Sequence, residues 1–187
     1  SSYDQTFYVS VFDTTTNNDE AVIDVNPYHP FDLVASPDGS RVYIANLEEG
    51  LSYIDIDGDS FSFEGPAIVE ADKQYIRLEV SPDGAYIFAV TLNWRTYQSG
   101  ISVIDTADHS LVATIPITQP YEWLSFSGID VHPVRDELYV VFSDSAGTGL
   151  PDFYVIDISD PAAPFISDSL TIGRHDDLYG EFLIVRP

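Results

Sequence analysis

Apolar and polar residues alternate over short stretches of this chain, with a period of two residues. The alternation is clearest from Ile76 to Val80, where Ile, Leu and Val alternate with Arg and Glu. A period of two places every second side chain on the same face, which is typical of a half-buried β-strand. No window of about 11 residues shows the three-to-four-residue spacing of an amphipathic helix. The pattern therefore predicts an all-β fold.

Two markers recur along the chain and divide it into repeats. The turn sequence Ser-Pro-Asp-Gly at 36–39 returns at 81–84 and, in altered form, at 132–136, so that its prolines lie 45 and 51 residues apart. An apolar pair followed by Asp ends at Asp13, Asp55, Asp105 and Asp157, at intervals of 42, 50 and 52 residues. Four short strands fit into each interval. Antiparallel four-stranded units of this length are typical of the blades of a β-propeller.

The amino-acid sequence of the repeat resembles that of a known family. Residues 31–46 resemble the YVTN repeat of archaeal surface-layer proteins and bacterial propellers, and residues 101–106 continue the likeness. Residues 153–161 resemble the related LVIVD repeat. The resemblance covers nearly all of the chain and implies a β-propeller of four-stranded antiparallel blades. It implies less about function, because similar propellers serve as surface scaffolds, as lactonases and as subunits of redox enzymes.

The strand count predicts an incomplete ring, with three whole blades and partial blades at both ends. The partial blade covers 3–25, the whole blades cover 31–64, 76–117 and 126–170, and the first strand of the next blade covers 181–185. A closed ring needs about four to eight blades. We therefore expect that the rest of a longer polypeptide, or other copies of the chain, closes the propeller. The absence of Met and the stop at Pro187 also favour an excerpt.

Charge narrows the classes of partner and environment. The chain has 31 acidic and 7 basic residues, a formal net charge of −24. Such a surface repels nucleic acid. It fits either an acidic extracellular or cell-surface protein, or a halophilic protein whose repulsion is screened by salt. The chain has no Cys, which excludes disulfides and thiolate metal sites, and it has no apolar run of about 20 residues that would span a membrane.

Candidate binding residues lie on one end of the predicted blades, which we call the upper face. It is formed by the loops between the second and third strands and by the connections between blades, where the repeats vary most in length. Aromatic rings beside polar groups suit flat partners such as sugar rings, although such rings also pack between blades. Trp94 and Trp123 are the best candidates for exposed contacts. The full set is Tyr28, His29, Tyr75, Trp94, Arg95, Tyr97, Tyr121, Trp123, His175 and Tyr179.

Two acidic segments are weak candidates for a metal site. Asp55, Asp57 and Asp59 alternate as in a calcium loop, but Tyr53 and Phe61 occupy positions where such a loop needs Asp. The alternative is that these residues form a hairpin turn. Asp176 and Asp177 beside His175 are the second candidate. No cofactor is predicted, and calcium is the one ion that the sequence suggests.

These observations favour a non-enzymatic propeller outside the cell or on its surface. It would act as a structural scaffold or as a binding and adhesion module with a protein or glycan partner. A lactonase-like hydrolytic propeller is the first alternative, and it requires His and acidic side chains to converge. The second alternative is a propeller subunit of a redox enzyme whose partner chain brings the cofactor. The sequence contains no nucleophile elbow, phosphate-binding loop or haem motif.

Overall fold

The computed structural model describes residues 6–47, 50–117, 128–142 and 150–171. All regular structure in these ranges is β-strand, and they contain no helix that could cross a membrane. The strands are β1 (Tyr8–Asp13), β2 (Asn18–Asp24), β3 (Pro30–Ala35), β4 (Arg41–Asn46), β5 (Gly50–Asp57), β6 (Ser60–Ile68), β7 (Lys73–Val80), β8 (Tyr86–Asn93), β9 (Gln98–Asp105), β10 (Leu111–Ile117), β11 (Gly128–Val131), β12 (Glu137–Val141), β13 (Phe153–Asp157) and β14 (Phe165–Leu170).

The strands form one two-stranded and three four-stranded sheets, each an antiparallel meander in chain order. Sheet A is β1–β2, sheet B is β3–β6, sheet C is β7–β10 and sheet D is β11–β14. Sheets B, C and D run over residues 30–68, 73–117 and 128–170, and sheet A runs over 8–24. The strand expected at 181–185 lies outside the described residues. The expected fold class is confirmed: the chain is all-β and forms part of a β-propeller.

The Ser-Pro-Asp-Gly sequence makes the same turn in sheets B and C. In sheet B, Asp38 Oδ1 accepts hydrogen bonds from the Ser36 hydroxyl at 2.6 Å and from the Ser40 backbone N–H at 3.0 Å. Gly39 then adopts a φ of 73°, which a side chain would disfavour. Sheet D lacks this sequence, and there His132 Nδ1 accepts two backbone N–H bonds at 3.0 and 3.1 Å. Different side chains therefore stabilise the same first turn.

One backbone hydrogen bond recurs in all three four-stranded sheets and fixes their common geometry. It joins the residue that follows the recurring Asp marker to the first turn of the same sheet. The three donor–acceptor pairs are Ile56 N–Ser40 O at 2.8 Å, Thr106 N–Ala85 O at 3.0 Å and Ile158 N–Asp136 O at 3.0 Å. Because the same bond recurs, residues at equal distances from the markers occupy equivalent places in successive sheets.

The sheets stack face to face around a common axis. The first strand of sheet C, β7, packs between the first strands β3 and β11 of its two neighbours. Apolar side chains fill the spaces between sheets: Leu51, Tyr75 and Ile87 belong to a cluster shared by sheets B and C, and Phe88 and Leu138 to one shared by C and D. Neighbour-to-neighbour packing of this kind places the connecting loops at the two ends of the fan.

Candidate binding face and axial carboxylates

A four-residue hairpin loop projects from sheet C at the upper face. It runs from Trp94 to Tyr97 between β8 and β9, and Asn93 closes it. Asn93 Oδ1 accepts the backbone N–H groups of Arg95 and Thr96, both at 3.0 Å, and the Asn93 carbonyl accepts that of Tyr97 at 2.8 Å. Trp94 is 47% exposed and Tyr97 is 55% exposed. The hairpin thus presents two aromatic rings to solvent.

The connection from sheet B to sheet C fixes this hairpin in place. The Arg95 guanidinium Nε lies 2.5 Å from Asp72 Oδ1, and the backbone N–H of Trp94 donates to the backbone carbonyl of Asp72 at 3.0 Å. The same guanidinium lies 4.4 Å from the centroid of the Trp94 ring, within the range of a cation–π contact. Because both contacts start from Asp72, the loop and the connection form one surface. We call Asp72, Trp94, Arg95 and Tyr97 the Trp94 platform.

A partly buried polar cluster lies at the start of β7, next to this connection. Glu70 Oε2 accepts hydrogen bonds from the Tyr75 hydroxyl at 2.7 Å and from the Ser102 hydroxyl at 2.8 Å. Its other oxygen, Oε1, pairs with the Lys73 ammonium. Both carboxylate oxygens of Glu70 therefore have partners, and the cluster ties the connection to strands β7 and β9.

The electrostatics of the cluster favour the ionised carboxylate. Burial alone would raise the pKa of Glu70, but the hydrogen bonds from Lys73, Tyr75 and Ser102 outweigh burial and lower it below its ordinary value. Burial first, and then the Glu70 charge, raise the pKa of Tyr75. The phenol therefore stays protonated and the carboxylate stays charged. Such a cluster stabilises the junction of the sheets and offers no group poised to transfer a proton near neutral pH.

Three residues that the sequence assigned to the upper face make internal contacts instead. Tyr75 is fully buried between sheets B and C. The Tyr28 ring packs against Phe63 with 5.6 Å between ring centroids. The His29 ring meets Phe7 edge-on, with 4.5 Å between centroids. These rings pack within and between sheets, which was the alternative given for them, whereas Trp94, Arg95 and Tyr97 come together at the surface.

The acidic residues proposed as a calcium loop are separated by their contacts. Asp55 Oδ1 accepts a hydrogen bond from Arg41 Nε at 2.6 Å. Asp57 and Asp59 flank Gly58, whose φ of 59° marks the hairpin between β5 and β6. The described parts of the chain contain no group of three His, Asp or Glu side chains arranged to hold a metal ion. The other candidates lie outside the described residues: Tyr121, Trp123, His175, Asp176, Asp177 and Tyr179.

Three first strands each carry a carboxylate: Asp32 on β3, Glu79 on β7 and Asp130 on β11. We call them the axial carboxylates, because the first strands of propeller blades line the axis. Asp32 reaches across to sheet C, where its Oδ2 accepts the backbone N–H of Leu78 at 2.9 Å. Burial, followed by the negative charges of Asp130 and Asp32, raises the pKa of Glu79 to about 7. Glu79 is therefore the one described carboxyl whose pKa is raised into the neutral range.

Sequence reasoning did not identify the axial carboxylates. Glu79 and Asp130 each stand three residues before the proline of the repeat, where sheet B has Val34. Acidic residues at one repeated position of successive first strands were the available signal. Since first strands of neighbouring blades meet at the axis, equal positions on them come close together.

Comparisons with known proteins identify the fold. No protein-family model matches the chain, and no curated protein sequence matches it. Among solved structures, the β-propeller domain of Cps50 (Swd1) from Myceliophthora thermophila superimposes with a TM-score of 0.64 at 12% identity, covering 88% of this chain and 51% of that one. Hydrazine synthase from Kuenenia stuttgartiensis gives 0.63 at 18% identity, covering 89% and 43%. A candidate 6-phosphogluconolactonase from Bacteroides uniformis gives 0.62 at 16%, covering 91% and 52%.

The chain thus spans about half the length of the structures that it resembles. At identities of 12–18%, the likeness describes the course of the backbone and carries no assignment of activity. The matched proteins also differ from one another in function, and they include a synthase, a candidate lactonase and a propeller domain. What the comparisons show is that this chain has the fold of a β-propeller.

Proposed function

We propose that the chain is part of a non-enzymatic β-propeller of the YVTN/LVIVD type, located outside the cell or on its surface, which acts as a scaffold that binds a glycan through the Trp94 platform. The repeat sequence supports the propeller type, and the net charge of −24 supports the location outside the cell or on its surface. The observation that carries the binding role is the platform itself. The exposed Trp94 ring contacts the guanidinium of Arg95, and Arg95 in turn is paired with Asp72.

The platform has the chemistry that a sugar ring requires. The face of a pyranose is apolar and stacks on an indole ring, while its hydroxyls need donors and acceptors at the edge of that ring. Arg95 supplies donors and Asp72 supplies an acceptor beside Trp94, and the Tyr97 ring is exposed next in the loop. Because Asn93 and Asp72 order the hairpin before binding, little loop entropy is lost when a ligand arrives.

The second part of the proposal is that further blades pack against sheets A and D. Tyr8, Phe12 and Val22 are 52%, 59% and 60% exposed on sheet A, and Phe165 and Leu170 are 55% and 59% exposed on β14. Apolar side chains on the faces of blades normally pack against the next blade. We propose that the rest of a longer polypeptide, or other copies of the chain, covers these sheets. Light scattering of the purified chain distinguishes a monomer from a self-closing assembly.

The binding role is tested on a glycan array with the purified chain. We expect saturable binding to at least one glycan, and the Trp94→Ala variant should lose at least about tenfold in affinity, as is typical of an aromatic anchor. Leu111→Ala is the matched control, because it also removes an exposed apolar side chain of sheet C but lies on β10, outside the Trp94 platform. No binding to any glycan, or equal loss in both variants, would contradict the proposal.

A lactonase-like activity is the second candidate, and Glu79 is the observation that favours it. A partly buried carboxyl with a pKa of about 7 is suited to general acid–base catalysis. The described histidines do not join it: His29 packs on Phe7, His109 contacts Arg41, and His132 caps its own turn. Hydrolysis of δ-gluconolactone, followed by pH-stat, separates the two functions. A rate that exceeds the buffer rate and falls in Glu79→Gln would support the enzyme; the scaffold proposal expects the buffer rate.

A further inference from the structure

The lower face, at the opposite end of the sheets, contains a repeated notch. It lies where the hairpin between the third and fourth strands of one sheet meets the first turn and the second strand of the preceding sheet. The structure describes two such notches, one at the junction of sheets B and C and one at the junction of C and D. The recurring backbone bond between each first turn and third strand makes their positions directly comparable.

The B–C notch is filled by a cation from within the chain. The Arg41 guanidinium lies 4.2 Å from the centroid of the Tyr53 ring, and its Nε lies 2.6 Å from Asp55 Oδ1. Its Nη1 is 3.3 Å from His109 Nε2, and the His109 ring is 4.8 Å from the Tyr53 ring. Stacking on an aromatic ring and pairing with a carboxylate are the two contacts for which a planar guanidinium is best suited.

The C–D notch lacks this cation. The equivalents of Arg41, Tyr53 and His109 there are Tyr86, Val103 and Pro161. Tyr86 takes the position of Arg41, and beside it the notch contains a cavity of about 430 Å³ lined by Tyr86, Pro161 and the buried Phe88. This volume is sufficient for a small ligand or a long side chain.

The lining of the cavity supplies the same two kinds of contact. Tyr86 and Phe88 provide aromatic rings, and Asp83 and Asp136 provide carboxylates at the rim. The Ser81 hydroxyl, followed by the Ala85 N–H, donates to Asp83 and lowers its pKa, so that it is ionised at neutral pH. The cation at the rim, Arg135, is held by its own sheet, since its Nη2 lies 2.5 Å from the Tyr139 hydroxyl and 3.2 Å from Glu137 Oε2.

We propose that the C–D notch binds an arginine side chain of a partner polypeptide in this cavity, beside Tyr86, which stands at the repeat position that Arg41 has at the B–C junction. The neighbouring notch shows that this space in the fold accommodates a guanidinium between a ring and a carboxylate. The charge balance of the chain, with 31 acidic and 7 basic residues, favours a basic partner. This site lies on the face opposite the Trp94 platform and does not depend on the function proposed for that platform.

The inference is tested by NMR titration of the ¹⁵N-labelled chain with the tripeptide acetyl-Gly-Arg-Gly-amide at low ionic strength. We expect saturable shifts centred on the amides of Asp83, Tyr86 and Ile158, with a dissociation constant on the order of 1 mM. The same peptide with citrulline keeps the shape of arginine and removes its charge, so it should bind at least about tenfold more weakly. Free L-arginine should bind more weakly than the peptide, because its own carboxylate faces the acidic rim.

Three variants locate the site. Tyr86→Arg restores the residue of the B–C notch and should fill the cavity from within, which abolishes peptide binding. Thr96→Arg, on the upper face, adds the same charge and should leave binding unchanged. Asp136→Asn removes an exposed rim carboxylate and should weaken binding several-fold if Tyr86→Arg does not fold. Equal binding of the citrulline peptide, shifts centred elsewhere, or undiminished binding in Asp136→Asn and Tyr86→Arg would overturn the inference.

Discussion

Replacing Glu79 by Gln should stabilise the fold at neutral and alkaline pH. The substitution keeps the size of the side chain and its amide oxygen can still accept the Val80 N–H, which donates to Glu79 Oε1 at 3.2 Å. It removes a charge that is partly buried and repelled by Asp32 and Asp130. Raising the pKa of a carboxyl from 4.5 to about 7 costs its ionised form at most about 3.4 kcal/mol. Partial exposure to water reduces this, and we expect about 1–2 kcal/mol.

The effect has a defined pH window. Because the folded pKa of Glu79 is raised, the native state takes up the proton first as the pH falls, and the parent protein gains stability from this group down to about pH 4.5. Above about pH 7 the full penalty is present. The advantage of Glu79→Gln should therefore be largest above pH 7 and should disappear near pH 4.5.

Urea denaturation from pH 4.5 to 8, at constant salt, measures this difference in the free energy of unfolding. Glu20→Gln is the control, since it removes one charge from an exposed position on β2 and leaves the axis intact. Repeating the series at 1 M salt, where the Debye length is about 3 Å, should reduce the part of the gain that comes from Asp32 and Asp130. An equal gain in the control, or a gain that does not vary with pH, would refute the assignment of the shift to the axial position.

Three other substitutions test local features by the same denaturation assay. Gly50→Ala should cost about 2–4 kcal/mol, because φ is +80° and the new Cβ would lie 2.0 Å from the Ile68 carbonyl oxygen; a neutral result would contradict that close approach. Tyr75→Phe should cost about 1–2 kcal/mol by removing a buried donor to Glu70, and an unchanged stability would show that the bond contributes nothing. Burial, followed by the nearby guanidinium, lowers the pKa of His109, so the parent should lose stability as the pH falls below about 6.5. The His109→Phe variant should lose less over the same range. Equal slopes of the unfolding free energy against pH in the two proteins would exclude His109 as the cause.

The fold followed from local signals in the sequence. Alternation over 76–80 places alternate side chains of β7 on opposite faces, and Leu78 and Val80 are buried as that pattern requires. Pro-Asp-Gly fixes each first turn because Asp and Gly satisfy it within a few residues. These interactions are short in range, so the sequence alone is sufficient to predict them.

The candidate sites depended on contacts between distant residues. Tyr75 is buried because its ring packs in a cluster with Leu51 and Ile104, which come from other strands. The raised pKa of Glu79 depends on Asp130, which is brought close by the fan of sheets. The loop of Trp94 predicts its place on the upper face, but its contact with the Arg95 guanidinium depends on how the two side chains pack.

Among the described strands, the backbone hydrogen bonds of each ladder stay within one sheet, and neighbouring sheets meet mainly through side chains. A substitution at one junction therefore affects the two sheets that meet there and has little effect on the next sheet. Because of this separation, substitutions can change each junction independently, so that one is filled and another contains a cavity, without altering the packing elsewhere. Arg41 at one junction and Tyr86 at the next illustrate that freedom, and combined changes at both junctions should have additive effects on stability.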